Sequence, residues 1–119
     1  MPEKHRMSRQ LYLKQLYERA GRNREAVQGA LLIVRNFNAR LTTQRSAGFW
    51  PTVETALVAK HPWLQVLCES CDTILDLDLR VKPRDPEASI RVALREVRCP
   101  RCNGHGRPRI AGLSRLPSR

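Results

Sequence analysis

Aromatic side chains are scarce in this chain of 119 residues, where they make up 5% of the sequence. A large hydrophobic core is therefore not expected, although 41% of the residues are apolar. Chains of this size often need a metal ion or disulfides to stabilise a small core. The length suits one compact domain, or a small domain with a helical appendage.

Long hydrophobic runs are also missing. The longest apolar stretch covers residues 30–34, far short of the roughly 20 residues that span a bilayer as a helix. The charged N-terminus is not followed by the apolar region that a secretory signal peptide requires. We therefore expect no membrane association and a cytoplasmic location, where cysteines bind metals more often than they form disulfides.

Motifs of the common enzyme classes are absent from the sequence. It has no Gly-rich phosphate loop, no His-Glu-x-x-His and no Gly-x-Ser-x-Gly. The His-x-Glu that precedes Pro-Cys-x-x-Cys in zinc deaminases is missing too. Asp76 and Asp78 share one side of a predicted strand, where we expect them to face solvent and meet nearby arginines. The sequence predicts a protein that is not an enzyme.

Acidic residues are outnumbered two to one, with 11 Asp and Glu against 22 Lys and Arg, for a formal net charge of +11. Arginine supplies 18 of the 22 positive charges. Its planar guanidinium binds phosphate and carboxylate in a bidentate manner, which favours an anionic partner. A genome rich in arginine codons would explain the same bias. The excess is +7 over residues 1–67 and +4 over residues 68–119.

Residues 8–41 have the apolar periodicity of one helix face. The face consists of Leu13, Leu16, Ala20, Val27, Ala30, Val34, Phe37 and Leu41. Gly21 predicts the end of a first helix, with a second from about Arg24, so that the two form a hairpin. The alternative is one long helix whose apolar face pairs with a partner, with Asn23 setting the register.

The rest of the chain predicts short elements. A polar linker covers residues 42–48, and a short helix follows with Pro51 in its first turn. Its shared face consists of Val53, Ala56 and Leu57. We expect Trp50 and Trp63 to be core residues of this part of the chain.

Strands and one further helix surround the cysteines. Strict alternation predicts an antiparallel strand over residues 73–81, and Asp85-Pro86-Glu87 predicts the start of a helix over residues 85–95. A closing strand covers residues 108–113. The predicted fold class is α+β: a basic helical segment and linker (residues 1–48), a small antiparallel domain with an inserted helix (residues 49–113), and a frayed tail (residues 114–119).

Four cysteines form two Cys-x-x-Cys pairs, Cys68 with Cys71 and Cys99 with Cys102, separated by 27 residues. The two-residue spacing lets one tight turn present both thiolates to a tetrahedral ion. Four thiolates leave no position for water, so such a site is structural. The interval exceeds the usual 15–20 residues or so of a zinc ribbon, and the predicted strand and inserted helix account for the excess.

Zinc is the preferred metal, one ion per chain, and four thiolates also suit iron. A disulfide framework and a redox-active Cys-x-x-Cys are further alternatives. His61 and His105 are predicted not to be ligands. We expect Gly104 and Gly106 to allow positive φ angles, so that backbone N–H groups point at the thiolates. Arg98 and Arg101 flank the second pair and offset its negative charge.

The segment from Pro62 to about Leu113 resembles the zinc-ribbon group through its two Cys-x-x-Cys pairs in a strand-rich context. Pro62-Trp63-Leu64, the strand near Ile74 and the ending Ile110-Ala111-Gly112-Leu113-Ser114 also resemble a set of uncharacterised small alphaproteobacterial proteins. The resemblance implies a fold and a metal, and no activity. Cys99-Pro-Arg-Cys-Asn-Gly-His-Gly is similar to one knuckle of the DnaJ-type chaperone zinc domain, a family that has four such repeats.

Two functions follow from the sequence as hypotheses. The first is a zinc ribbon associated with DNA or RNA at low specificity, held by phosphate attraction. Its expected contacts are Arg6, Arg9, Lys14, Arg19, Arg22, Arg24, Arg107 and Arg109. The second is a protein-interaction module, in which the helical face over residues 8–41 pairs with itself or another protein and the ribbon is a rigid platform.

Overall fold

The structure is a computed structural model that describes residues 11, 13, 15, 17, 23–44, 46–102 and 107–118. It confirms the α+β class, with an N-terminal helix followed by a small antiparallel sheet and an additional helix. In chain order the elements are α1 (Arg24–Thr43), α2 (Val53–Val58), β1 (Trp63–Cys68), β2 (Ile74–Asp78), the 3-10 helix η1 (Ile90–Glu96) and β3 (Pro108–Ser114).

Helix α1 begins directly after Asn23, which has an extended backbone and caps the helix. The Asn23 side chain accepts a 3.1 Å hydrogen bond from the Ala26 N–H, a common way to satisfy a free donor in the first turn. Because Asn23 is not helical, one continuous helix is excluded, although Leu13 and Tyr17 upstream are also helical. The prediction that Asn23 sets the register of one long helix is therefore wrong. Gly21, the predicted end of the first helix, lies outside the described residues.

The inner face of α1 packs into the protein's own core. Ala30, Val34 and Phe37 are buried there, and so is Leu13. The core around them also contains residues of α2 and of all three strands. The predicted face is thus confirmed for Ala30, Val34 and Phe37 of α1, and the chain itself covers these residues.

Helix α2 presents the three predicted residues, Val53, Ala56 and Leu57, to the core. Its N-cap is Thr52, whose side chain accepts a hydrogen bond from the Thr55 N–H. Pro51 therefore precedes the cap and does not lie in the first turn. Trp50 packs against the rim of the core and is half-buried.

The three strands form one antiparallel sheet in the order β2-β1-β3. On β1, Leu64, Val66 and Cys68 are buried and alternate with half-exposed residues that include Trp63, so Trp63 is not a core residue. Strand β2 is shorter than expected and ends at Asp78. The Asp78 carboxylate accepts bonds of 2.9 Å from the Arg80 backbone N–H and guanidinium, which turns the chain out of the strand.

Asn38 joins α1 to β3 by a pair of hydrogen bonds. Its Oδ1 accepts from the Leu113 N–H and its Nδ2 donates to the Leu113 carbonyl, each at 2.9 Å. The neighbouring Gly112 has φ +159°, and a Cβ there would lie 2.9 Å from Asn38 Oδ1. The close approach of helix and strand therefore requires a glycine at position 112.

The inserted helix begins later than predicted and is of the 3-10 type. Ser89 caps η1, accepting a 3.1 Å hydrogen bond from the Arg91 N–H. Asp85 instead accepts from the Glu87 N–H at 3.0 Å, so the Asp-Pro-Glu sequence forms a turn. Backbone pairing of Ser89 with Thr52 then holds this insertion against the start of α2.

The C-terminal tail is held as far as Ser118, in contrast to the expected fraying. The Ser118 N–H and hydroxyl donate to the two carboxylate oxygens of Asp76, at 2.9 and 2.7 Å. Gln65 on β1 donates to the same hydroxyl at 3.2 Å. Asp76 therefore binds the tail, while Asp78 meets Arg80 as expected.

Candidate metal centre

The first cysteine pair lies in a tight turn between β1 and β2. Strand β1 ends at Cys68, and the Cys68 carbonyl accepts a 2.8 Å hydrogen bond from the Asp72 N–H. The Cys68 N–H donates to the Thr73 carbonyl at 2.9 Å, which closes the turn. Asp72 has φ +59°, a conformation that Asp adopts more readily than most residues. This geometry turns Cys68 and Cys71 toward the same point.

The second pair reaches the same point because β3 is the neighbour of β1. Cys68 pairs with Pro108 at the start of β3, and the Glu69 N–H donates to the Arg107 carbonyl at 3.1 Å. The segment that carries Cys99 and Cys102 is thereby held beside the first turn. Gly104, His105 and Gly106, for which specific roles were predicted, lie outside the described residues.

The four sulfur atoms form one compact cluster. All of them lie within 4.8 Å of one another, with Cys71 Sγ 3.5 Å from Cys99 Sγ and Cys68 Sγ 3.7 Å from Cys102 Sγ. In an ideal tetrahedral site with metal–sulfur bonds of about 2.3 Å, sulfurs are separated by about 3.8 Å. All four cysteines are free thiols, so the arrangement could hold one metal ion.

Hydrogen bonds shift the pKa values of two cysteines of the cluster in opposite directions. The Thr73 hydroxyl, 3.0 Å from Cys71 Sγ, and the Thr73 backbone lower the pKa of Cys71 to about 6. Hydrogen bonds to Cys71 and Cys68 raise the pKa of Cys102 to about 12. Thiolates are the metal-binding form, so metal binding at this cluster would release protons.

Thr73 is a functional residue that the sequence did not reveal. Its hydroxyl contacts Cys71, and its backbone carbonyl closes the turn on Cys68. The only signal is a hydroxyl side chain two residues after a Cys-x-x-Cys pair, and such residues are common. Asp72 supplies the left-handed conformation that glycine often supplies after such a turn.

Charged groups around the cluster are mostly solvent-exposed. Arg98 and Arg101, expected to offset the thiolate charge, are both exposed. Arg109, expected to contact nucleic acid, lies with its Nε 3.5 Å from Glu69 Oε1. His61 lies beyond the end of β1 that is opposite the cluster, where its Nδ1–H donates to the Ala59 carbonyl at 2.7 Å.

Only two of the other predicted nucleic-acid contacts lie among the described residues. Arg24 and Arg107 are exposed, on α1 and directly before β3 respectively. The remaining predicted contacts lie outside the described residues: Arg6, Arg9, Lys14, Arg19 and Arg22. Of the predicted set, the described part of the chain therefore contains Arg24, Arg107 and Arg109.

No protein-family model, curated protein or solved structure matches the chain. The cysteine cluster and the topology are therefore the basis for any functional argument. Among the described residues, no helix has both the length and the apolar character needed to cross a membrane.

Proposed function

We propose that this protein is a small, basic zinc-binding protein that associates with nucleic acid and is not an enzyme. The observation that carries the zinc assignment is the cluster of four sulfurs within 4.8 Å, contributed by two turns at the same end of the sheet. Zinc prefers this donor set and geometry in structural sites. Iron shares the donor set, so the test must identify the element.

The proposed zinc is structural. Four protein thiolates complete a tetrahedral ion and leave no position for a substrate or an activated water. Cys68 is the last residue of β1, and the second pair precedes β3. Because these strands are antiparallel neighbours, the ion would join the end of β1 to the segment that leads into β3. Metal binding then contributes directly to folding stability, which suits a chain with few aromatic residues.

The nucleic-acid assignment is supported by charge. The net charge is +11. Within the described ranges, more arginines lack an acidic partner than have one. Ion pairs involve Arg80, Arg84 and Arg109. The other described arginines form no ion pair there and remain able to attract phosphate: Arg24, Arg35, Arg40, Arg91, Arg95, Arg98, Arg101, Arg107 and Arg115.

Salt dependence tests the nucleic-acid proposal. Fluorescence anisotropy of labelled single- and double-stranded oligonucleotides should show binding whose affinity falls steeply between about 50 and 200 mM salt, because phosphate contacts release counterions. Zinc-loaded protein is used throughout. Absence of binding at low salt to every oligonucleotide would contradict the proposal.

The alternative function is a protein-interaction module. The inner face of α1 is covered by the protein's own core, but Leu32 and Ile33 on α1 are 67% and 43% exposed, next to Gly29, which has open space around it. Self-association measured by analytical ultracentrifugation, and lost in Leu32→Glu, would favour this alternative.

A further inference from the structure

We propose that a groove formed by Trp50 and the first turns of η1 binds single-stranded nucleic acid, with Arg91 and Arg95 on phosphate and Trp50 stacking on a base. This inference rests on the proposed nucleic-acid function. It assigns the binding of nucleic acid to a surface that the sequence did not indicate. None of the contacts predicted from the sequence belongs to this groove.

The groove is a shallow surface feature of about 600 Å³ next to the start of α2. Two exposed arginines, Arg91 and Arg95, lie four residues apart on η1 and both line the groove. Among the described residues, no acidic side chain lines it. Its lining consists of Trp50, Ser89, Arg91, Val92, Leu94 and Arg95.

Trp50 gives the groove an aromatic surface that the core does not fully use. Its ring lies 5.9 Å from the Phe37 ring on the core side and remains half-exposed. The Arg91 guanidinium lies 5.7 Å from the Trp50 centroid, a cation–π distance. Val92 beside it is 49% exposed. The groove thus combines aromatic, apolar and cationic groups.

Backbone contacts hold the two sides of the groove together. The Ile90 N–H donates to the Pro51 carbonyl at 3.0 Å, and the Val53 N–H donates to the Ala88 carbonyl at 2.9 Å. The Arg91 backbone N–H is bound by the Ser89 hydroxyl. The positions of Trp50 and Arg91 are therefore fixed by the fold, and only the arginine side chains need to adjust to a ligand.

Single-stranded nucleic acid fits this combination better than a duplex or an acidic peptide. Aromatic rings bind bases only where the bases are unstacked and accessible. An acidic peptide would satisfy the arginines but would give the Trp50 surface no aromatic partner. Sequence preference is expected to be weak, because stacking and phosphate attraction accept every base.

Trp50 fluorescence provides the direct test. In a Trp63→Phe background, Trp50 is the single tryptophan, and zinc-loaded protein is titrated with single-stranded oligothymidylate and oligouridylate of about 15 nucleotides. Both should quench Trp50 as they bind. Binding measured by anisotropy without any change in Trp50 fluorescence would place the ligand elsewhere and overturn the inference.

The arginines are tested with charge-matched double variants. Arg91→Ala/Arg95→Ala should weaken binding by at least about tenfold and reduce the slope of log K against log salt by about 1.4, the value for two phosphate contacts with a single strand. The control, Arg35→Ala/Arg115→Ala, removes two exposed arginines near His61, at the other end of α2, and should reduce the affinity and the slope less than the groove variant does. Unfolding midpoints of all variants are compared with the parent.

The outcomes distinguish failure of this inference from failure of the proposed function. If the parent binds but both double variants lose affinity and slope equally, the groove is not the site and the proposed nucleic-acid function stands. Polyglutamate that binds with the same affinity and quenching would show a charge-only surface and overturn the inference. If the parent binds no nucleic acid, both proposals fail.

Discussion

At the scale of single residues, the account depends on how each cysteine is held. Cys68 and Cys99 are buried, while Cys71 and Cys102 are partly exposed. Each close sulfur contact joins a buried cysteine to a partly exposed one across the two pairs. A single ion would therefore connect both pairs at once, and loss of one ligand should affect both.

Changing Cys99 to Ser should lower the free energy of unfolding by more than about 4 kcal/mol, because loss of a metal site belongs to the few mechanisms with effects that large. The three remaining thiolates cannot close the coordination sphere. Chemical denaturation with metal analysis measures the effect. Ser70→Ala, at an exposed position between Cys68 and Cys71, is the control. A Cys99→Ser protein that keeps its metal and unfolds like the parent would contradict a structural site.

We expect His61 to make the stability of the protein depend on pH. Burial lowers the pKa of His61, and the positive charges of Arg115 and Arg35 lower it further, against the raising effect of its bond to Ala59. The folded protein therefore favours the neutral imidazole. Its contribution is complete above the ordinary pKa of about 6.5 and is lost as the pH falls through the lower folded value.

The pH dependence is measured by comparing the parent with His61→Gln. Between about pH 7 and pH 5, across the ordinary histidine range, the parent should lose stability relative to the variant. Metal loss in acid affects both proteins and cancels in the difference. A stability difference that stays constant over this range would show that His61 does not contribute in this way.

At the scale of elements, α1 shows where sequence reasoning succeeds and where it does not: its buried face was predictable, and the pair of hydrogen bonds from Asn38 to Leu113, the Asn38 clamp, was not. Periodicity predicted that Ala30, Val34 and Phe37 share a buried face, because a helix places every third or fourth residue on one side. The Asn38 clamp was not predictable from the same pattern. Its partner Leu113 is 75 residues away, and only the folded chain brings β3 beside α1.

Other differences between prediction and structure have similar causes. Asp85-Pro86-Glu87 fits a helix start, but Asp85 forms a local turn and backbone pairing with the segment before α2 delays η1 until Ile90. The cysteine set was predictable because spacing in Cys-x-x-Cys encodes a local turn. The Thr73 contact and the attachment of Ser118 to Asp76 depend on tertiary placement that local patterns do not report.

The Asn38 clamp should be worth a measurable amount of stability. Asn38→Ala leaves the Leu113 N–H and carbonyl without their side-chain partner, and we expect a loss of about 1–3 kcal/mol. Asn36→Ala, an exposed position on the same helix, should change stability by less than about 0.5 kcal/mol. Equal effects of the two substitutions in urea denaturation would show that the clamp contributes nothing specific.

The start of α1 is tested by Asn23→Ala. The substitution removes the acceptor for the Ala26 N–H and should cost about 1 kcal/mol. Asn23→Asp retains an acceptor and places negative charge at the helix N-terminus, so its stability should match or exceed that of the parent. If Ala and Asp substitutions are equally tolerated, Asn23 is not an energetically significant cap.

At the scale of the whole molecule, one core connects the helical segment to the metal-binding sheet. Leu13 and Phe37 lie in the same cluster as Leu64 and Ile110, and Cys68 belongs to the same strand as Leu64. Removal of the metal is therefore expected to disturb α1 as well as the strands. The described arginines that form no ion pair belong to several elements, including α1 and η1, so the proposed groove, and not the total charge, would define a specific contact.

The most direct test of the account is elemental analysis of the purified protein combined with a thiol count before and after chelation. The account predicts about one zinc per chain, with four thiols that become reactive only when a chelator removes the metal. A different metal at the same stoichiometry would change the element but keep the four-cysteine site. Protein that contains no metal and no reactive thiols would hold disulfides instead, and that result would contradict the central claim.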